Sequence, residues 1–249
     1  MLLLAIETAT PETSAALLRD GRLLAEERGA AGRPTAETLL PAVDALLHRS
    51  ATPLAAVEAF AVSIGPGSFT SLRIGLATVK GLAFGSRRPA VPVPTLRALA
   101  RTAPAGEGPV VALLDARRGE LYAAAFEGAD LAPSALLPEG VYTVDALGER
   151  LPESCRLTGQ GVAVCGEALR ALRGPGVVCV PEAVGVARAA HVGALGARLL
   201  AEGAGIDAGR LVPYYLRRAE AEVKRTGRRF EGAGARAGGG ARSRIDEAL

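Results

Sequence analysis

The feature that most constrains this chain is a short apolar run at 59–64 that passes directly into Gly65-Pro66-Gly67-Ser68-Phe69-Thr70. A run of that length reads as a core strand, and the stretch that follows, 71–84, has helical spacing. Glycines between a strand and a helix permit unusual backbone angles and let another group approach the main chain. The helix start offers unpaired N–H groups and the positive end of a dipole, which suits an anion. The loop lacks the lysine and the spacing of a P-loop, and it is not G-x-G-x-x-G. The helix carries Gly75, Ala77, Gly81 and Ala83. Interior glycines cost about 1 kcal/mol each relative to alanine, so they predict close approach by another element.

An apolar run at 2–6 reads as a first core strand and ends on Glu7-Thr8-Ala9-Thr10. A turn there gathers a carboxylate, two hydroxyls and backbone N–H groups at a strand end. Such a turn can hold phosphate oxygens or a hydrated metal, or can simply close a hairpin. Asp20-Gly21 between 14–19 and 22–27 is a hairpin signal. A helix is expected over 35–50, with Leu39, Leu40, Val43, Leu46 and Leu47 on one face and Pro41 as a kink or first-turn residue. A strand at 90–93 and a helix from 96 follow. The Gly/Pro-rich stretch 102–109 is the best boundary. Strands at 110–114 and 121–126 come next, joined by Asp115-Ala116-Arg117-Arg118-Gly119-Glu120. Residues 129–176 give scattered strands and breaks. A helix is expected over 184–202 and a last strand or extended segment over 212–217. This order predicts an α/β chain of two lobes, a first at 1–104 and a smaller, less regular one at 105–217.

Hydrophobic residues are 49% of the 249 and charged ones 22%, which excludes a wholly disordered chain. No apolar stretch reaches the ~20 residues that span a bilayer. The start, 1–7, lacks a basic lead and is cut short by Glu7, so it reads as a buried strand rather than a signal peptide. A soluble, cytoplasmic protein is the expectation. The net charge of +3 is unevenly placed: 217–249 holds nine Arg/Lys against five Asp/Glu, which leaves the rest near −1. The body is thus not basic enough to read as a nucleic-acid surface. Residues 218–249 read as a basic Gly/Arg-rich, disordered tail.

Cys155, Cys165 and Cys179 form no C-x-x-C pair and read as small buried hydrophobes. His48 and His191 are the only histidines, too far apart in sequence to suggest a metal pair. Ser14, Ser63, Ser68 and Ser71 have no histidine partner in sequence and no G-x-S-x-G occurs. Asp115 and Glu120 are either an acid–base couple or turn residues paired with Arg117 and Arg118. No catalytic residue and no metal ligand is assigned.

Taken together, Leu4-Ala5-Ile6-Glu7-Thr8-Ala9-Thr10 and Gly65-Pro66-Gly67-Ser68-Phe69-Thr70-Ser71-Leu72-Arg73-Ile74-Gly75 are specific. The chain resembles the actin-like ATPase superfamily and, more narrowly, the bacterial TsaB (YeaZ) family. Lys80-Gly81-Leu82-Ala83, the stretch Asp115 to Tyr122, and Pro213-Tyr214-Tyr215-Leu216-Arg217 match too. The likeness is good over 1–126 and thin beyond. It implies a two-lobed actin-like fold (ASKHA, ribonuclease H-like) with mixed sheets flanked by helices. It also implies a non-catalytic partner and dimerization subunit in tRNA threonylcarbamoyladenosine synthesis. The implied partners are a TsaD-like transferase and a TsaE-like ATPase, with a homodimer when alone, tRNA met only through the complex, and no membrane.

TsaD-like chains carry His-x-x-x-His just after the strand that follows the glycine-loop helix. Here those positions are Thr95 and Leu99, so metal-dependent transfer is not expected of this chain. Many family members have His-Ser or His-Thr where this chain has Pro34-Thr35. The resemblance points to Glu7, Thr8, Gly65, Gly67 and Ser68 for any nucleotide contact. It points to Leu39, Val43, Leu47, Leu72, Leu76 and Val79 for the partner face. No cofactor is required by the chain itself, with ATP and Mg confined to the complex. The alternative is an active ATPase or phosphotransferase that uses a Mg-nucleotide. That reading needs a second nucleotide-binding segment, and only Gly159-Gln160-Gly161 offers itself.

Overall fold

Alternation along the first strand, β1 (Leu2–Glu7), sends its side chains into two different cores. A computed structural model describes residues 1–181 and 183–217. β1 pairs antiparallel with β2 (Ser14–Arg19), which pairs antiparallel with β3 (Arg22–Arg28). The turn between β2 and β3 is Asp20-Gly21, with φ of 51° and 75°. Two consecutive positive φ values are what a two-residue hairpin needs. After helix α1 (Thr35–Arg49) the chain enters β4 (Ala59–Gly65), parallel to β1. Helix α2 (Phe69–Ser86) then crosses to β5 (Ala90–Pro94), parallel to β4, and runs into the short helix α3 (Thr95–Ala100). The resulting sheet has the order β3-β2-β1-β4-β5.

Leu2, Leu4 and Ile6 join Leu17, Phe60 and Val62 on the face covered by α1 and α2. Leu3 and Ala5 join Ala16, Ala59 and Ala61 on the opposite face. All six interface residues expected from the sequence prove to lie on the first of these faces. Leu39, Val43, Leu72, Leu76 and Val79 are buried in its core, and Leu47 packs against it. The correction has a simple cause: a two-faced sheet takes the whole apolar stripe of each helix. What α1 and α2 turn outward includes Leu40, 56% exposed, and Phe84, 86% exposed. Pro41 sits within a continuous α1.

The remaining elements in chain order are strands β6 (Val110–Asp115), β7 (Glu120–Glu127), β8 (Ala132–Pro133) and β9 (Gly140–Thr143). Helix α4 (Val144–Arg150), strand β10 (Cys155–Thr158), helix α5 (Gly161–Arg173) and strand β11 (Val177–Cys179) follow. Among the described residues the last α-helix is α6 (Ala189–Ala201). Much of the stretch 129–176 is therefore regular, though in pieces as short as two residues. The second sheet has the order β11-β10-β6-β7-β8, with β9 also paired to β7. One face carries Val111, Leu113, Leu157 and Val177, packed with Leu147 of α4 and Leu169 of α5.

The two compact units do not follow the sequential division at 104/105. The first is Met1–Ala98 with Ala187–Tyr214, and the second is Leu99–Val186 with the chain from Tyr215. α6 belongs to the first unit because the second face of its sheet needs a cover, which Val192, Leu195 and Leu199 provide. The helix starts later than 184, at Ala189. Its first N–H groups donate to Ser14 Oγ at 2.9 Å and to Glu26 Oε1 at 2.9 Å, filling acceptor needs at a helix start. No residue of 212–217 lies in a helix or an extended strand; Leu216 is a bend and Arg217 an isolated bridge. The tail expected to be disordered, 218–249, lies outside the described residues. Among the described residues no helix is long and apolar enough to cross a membrane.

α6 reaches the sheet through glycine. A Cβ on Gly196 would stand 2.6 Å from Ala61 Cβ, whereas one on Gly81 of α2 would meet nothing within 4 Å. Gly196→Ala is expected to lose about 1–3 kcal/mol through overpacking, although alanine is the better helix former. Gly81→Ala is expected to gain about 0.5–1 kcal/mol. Urea unfolding of the two variants against wild type checks both signs.

Candidate functional site

The turn after β1 and the loop after β4 were expected to form one site, and they do meet. β1 and β4 are adjacent parallel strands, so their C-terminal ends lie side by side. The Ser68 N–H donates to the Ala9 carbonyl at 2.9 Å. A Cβ on Gly67 would fall 2.3 Å from that same carbonyl oxygen, and one on Gly75 would fall 2.2 Å from Thr8 Oγ1. Gly65 has φ of +127°, and a Cβ there would be 2.2 Å from the Tyr214 carbonyl oxygen. The glycines are thus approached by the chain's own atoms. Gly75 gives the close contact expected of α2, while Gly81 stands open.

Several N–H groups of the site are also engaged from within. Ala9 N and Thr10 N donate to Glu7 Oε1 at 2.6 and 3.0 Å. Gly65 N donates to Thr95 Oγ1 at 3.1 Å, and Thr8 N to Ser63 Oγ at 3.4 Å. Ser68 caps α2 by accepting from Ser71 N. Its hydroxyl donates to Ser71 Oγ at 3.0 Å, and Ser71 Oγ accepts from Thr35 Oγ1 at 3.2 Å, which ties the starts of α1 and α2 together. A phosphate needs free donors. Here the Glu7 carboxylate already serves as the anion of its own turn.

Glu7 is fully buried. Burial pushes its carboxyl up to about 7, against the downward pull of the Ser63 hydroxyl, the Thr10 and Ala9 N–H groups and the Thr10 hydroxyl. Its Oε2 and Thr8 Oγ1 have no hydrogen-bond partner of good geometry among the described residues. Taking an ionised carboxylate out of bulk water is costly, so the proton is held to higher pH than in the unfolded chain. Thr95, Tyr214 and Ser63 complete the site. In the sequence Thr95 stands out only as a position where a histidine is missing, and Tyr214 only as part of the Pro213–Arg217 match.

The other candidates are structural. Cys155 and Cys165 are buried, Cys179 is half-buried, and all three are free thiols. Burial raises the first two to about 11, which makes them poor nucleophiles. His191 Nδ1 accepts the Arg188 N–H at 3.2 Å and so caps α6, and His48 lies in the last turn of α1. Among the described residues no group of three or more His, Cys, Asp or Glu could hold a metal ion. In the second unit, a Cβ on Gly159 would fall 2.2 Å from the Leu113 carbonyl oxygen, and one on Gly161 would fall 2.7 Å from Leu113 Cβ. That segment too is packed against its own sheet. Asp115 accepts the Arg117 N–H at 2.7 Å and lies 3.7 Å from the Arg117 guanidinium, and Glu120 pairs with Arg217.

A carboxyl raised in the folded state keeps a proton that the unfolded chain has lost. Its contribution is therefore most favourable below about 4.5, falls as pH rises toward 7, and is lowest above that. The drop is on the order of 3 kcal/mol for this shift. Glu7→Gln is expected to remove that falling limb, as read by chemical denaturation from pH 4 to 9. A separate limb ending near 8 is expected to remain, since burial raises Glu139 in the second unit to about 8.

Comparison with known proteins adds an independent line. Residues 29–224 match the family model described as TsaD, tRNA N6-adenosine threonylcarbamoyltransferase. The chain is 40% identical over 129 residues to the tRNA threonylcarbamoyladenosine biosynthesis protein TsaB of Escherichia coli, covering 51% of this chain and 55% of that one. Against TsaB of Bacillus subtilis it is 32% identical over 127 residues, 51% of this chain and 56% of that one. The match thus spans about half the length of these curated relatives. Among solved structures, a Pseudomonas aeruginosa protein described as similar to peptidase YEAZ superposes with a TM-score of 0.75 at 31% identity, covering 87% of this chain and 99% of that chain. Component A of the Acidaminococcus fermentans (R)-2-hydroxyglutaryl-CoA dehydratase superposes with a TM-score of 0.51 at 10% identity, a likeness of fold alone.

Proposed function

We propose, from the premise that this chain belongs to the TsaD family and within it to the TsaB (YeaZ) branch, that it is a non-catalytic subunit supporting a TsaD-like transferase in tRNA threonylcarbamoyladenosine synthesis. The observation that carries this reading is the self-occupied site. The N–H groups of Ala9, Thr10, Gly65 and Ser68, at the ends of β1 and β4, hold Glu7, Thr95 and the Ala9 carbonyl. The absence of the His-x-x-x-His pattern at Thr95 and Leu99 agrees with it. The TsaE-like ATPase, the homodimer of the isolated chain, the cytoplasmic setting and a nucleotide bound only at the level of the complex belong to the same reading.

The partner face of this proposal is the outward side of α1 and α2. Leu40 and Phe84 are large apolar side chains held in water there, and removing such groups from solvent drives association. A reconstituted assay with TsaD-like and TsaE-like proteins, threonylcarbamoyl-adenylate and tRNA is expected to give product only when this chain is added. Product from the chain alone, or equal product without it, overturns the reading. The double variant L40E/F84E is expected to keep the wild-type Tm and to bind the transferase at least tenfold more weakly by calorimetry. Leu39→Glu is expected to unfold the first unit, since Leu39 is in the core.

A further inference from the structure

The outward side of α2 is bare of packing. Ala77, Gly81, Phe84 and Gly85 are exposed and share one face by helical spacing. A Cβ on Gly81 or Gly85 would meet nothing within 4 Å, so no neighbour among the described residues needs either glycine to be small. Interior glycines weaken a helix. Phe84 stands beside this open backbone almost wholly in water. The end of the helix is equally unpaired. Arg87 caps it in the left-handed region, with φ of 54° and its N–H donating to the Phe84 carbonyl at 3.3 Å. Glycine is the usual residue there. Arg87 and Arg88 are exposed and have no ion-pair partner among the described residues. Arg33, Arg49 and Arg217, by contrast, each meet a carboxylate, of Glu37, Glu27 and Glu120. The negative end of the α2 dipole favours a cation nearby, which gives the two arginines a place in the free chain but no partner.

α1 carries the opposite charges around its own exposed apolar residue. Glu37, Leu40 and Asp44 are all exposed and fall on one outward stripe at i, i+3 and i+7. Glu37 holds Arg33 at 2.6 Å with both side chains largely in water, a pair that contributes little. Asp44 has no ion-pair partner among the described residues. One helix thus offers an apolar group with a carboxylate one turn to either side, and the other offers an apolar group with two arginines one turn beyond it. We infer that this face binds its equal on a second copy of the chain, with Phe84 of each copy set against Leu40 of the other and Arg87 and Arg88 set against Glu37 or Asp44. Because acids stand on both sides of Leu40, the charges match whichever way the facing helices run. The contact is isologous, so each pairing occurs twice. Open backbone at Gly81 and Gly85 lets the facing helix come close. A nucleic-acid backbone fits this face poorly, since Glu37 and Asp44 repel phosphate. The inference rests on the reading of α1 and α2 as the contact face. It goes beyond that reading by giving the self-contact its residues and the charges that select it.

The test is sedimentation velocity on the full chain for wild type, E37K/D44K, R87E/R88E and an equimolar mixture of the two variants, in about 0.05–0.5 M salt. Wild type is expected to dimerise, and its dimer to weaken as salt rises. Each variant sets like charges against each other in its own dimer, so each is expected to dimerise about tenfold more weakly or worse. The substituted residues are exposed, so each variant is expected to stay folded with a Tm close to wild type. In the mixture every reversed charge meets its opposite, and dimer is expected to return as a heterodimer of the two variants. That recovery is a result that damage to folding does not give. A monomeric wild type overturns the inference. So does a dimer indifferent to both variants, or a pair of monomeric variants that the mixture does not restore. Weaker binding of the transferase or of tRNA by R87E/R88E at unchanged self-association also overturns it, and assigns the arginines to that other contact. If the reconstituted assay shows that modification does not depend on this chain, the subunit role falls, and the sedimentation series still decides the inference.

Discussion

β1 has no solvent face. Every residue from Leu2 to Glu7 is buried, so the sheet built around it needs an apolar layer on each side. The helices nearest in sequence, α1 and α2, supply one layer. The other comes from α6, which the chain reaches only after the whole second unit. The fit on that side is set by small residues: Ala5, Ala16, Ala59 and Ala61 on the sheet, with Gly193 and Gly196 on the helix. Glu26 and Ser14 then fix the start of α6 by accepting its first N–H groups. Division of the chain into its two units follows from this demand for a second cover.

The same economy governs the strand ends. β1 and β4 lie side by side and finish in polar turns, a place where many proteins hold ligands. Here three glycines let Thr8, Ala9 and Tyr214 come within distances no side chain would allow. The Glu7 carboxylate accepts the turn's N–H groups and is fully buried. Its raised affinity for a proton is the mark of that enclosure. These bonds fix the relation of the two segments.

Outward, the chain keeps its contact chemistry on side chains that the cores do not use. Leu40 and Phe84 stand on the far sides of α1 and α2. Leu40 and Phe84 leave apolar area in water that the first unit's own core does not take up.

How far the sequence reached can be traced through particular residues. Local chemistry sufficed where a signal is local: Asp20-Gly21 set the first hairpin, the 59–64 run and the glycine loop set β4 and the start of α2, and both motifs met as expected. The family followed from those motifs. Sequence could not say which side of a helix faces its own sheet and which faces a partner. Apolar periodicity marks a buried stripe without naming what buries it, so Leu39, Val43, Leu72 and Val79 read as a partner face and proved to be core. Nor could it say what a glycine admits. Gly65, Gly67 and Gly75 allow close approach by their nature, but whether a ligand or Tyr214, Ala9 and Thr8 comes close is a long-range fact. The return of α6 is of the same kind, since the need for it arises only once the sheet exists. What is set by a few neighbouring residues the sequence determined alone; what depends on which distant segment fills a space was decided by the tertiary structure.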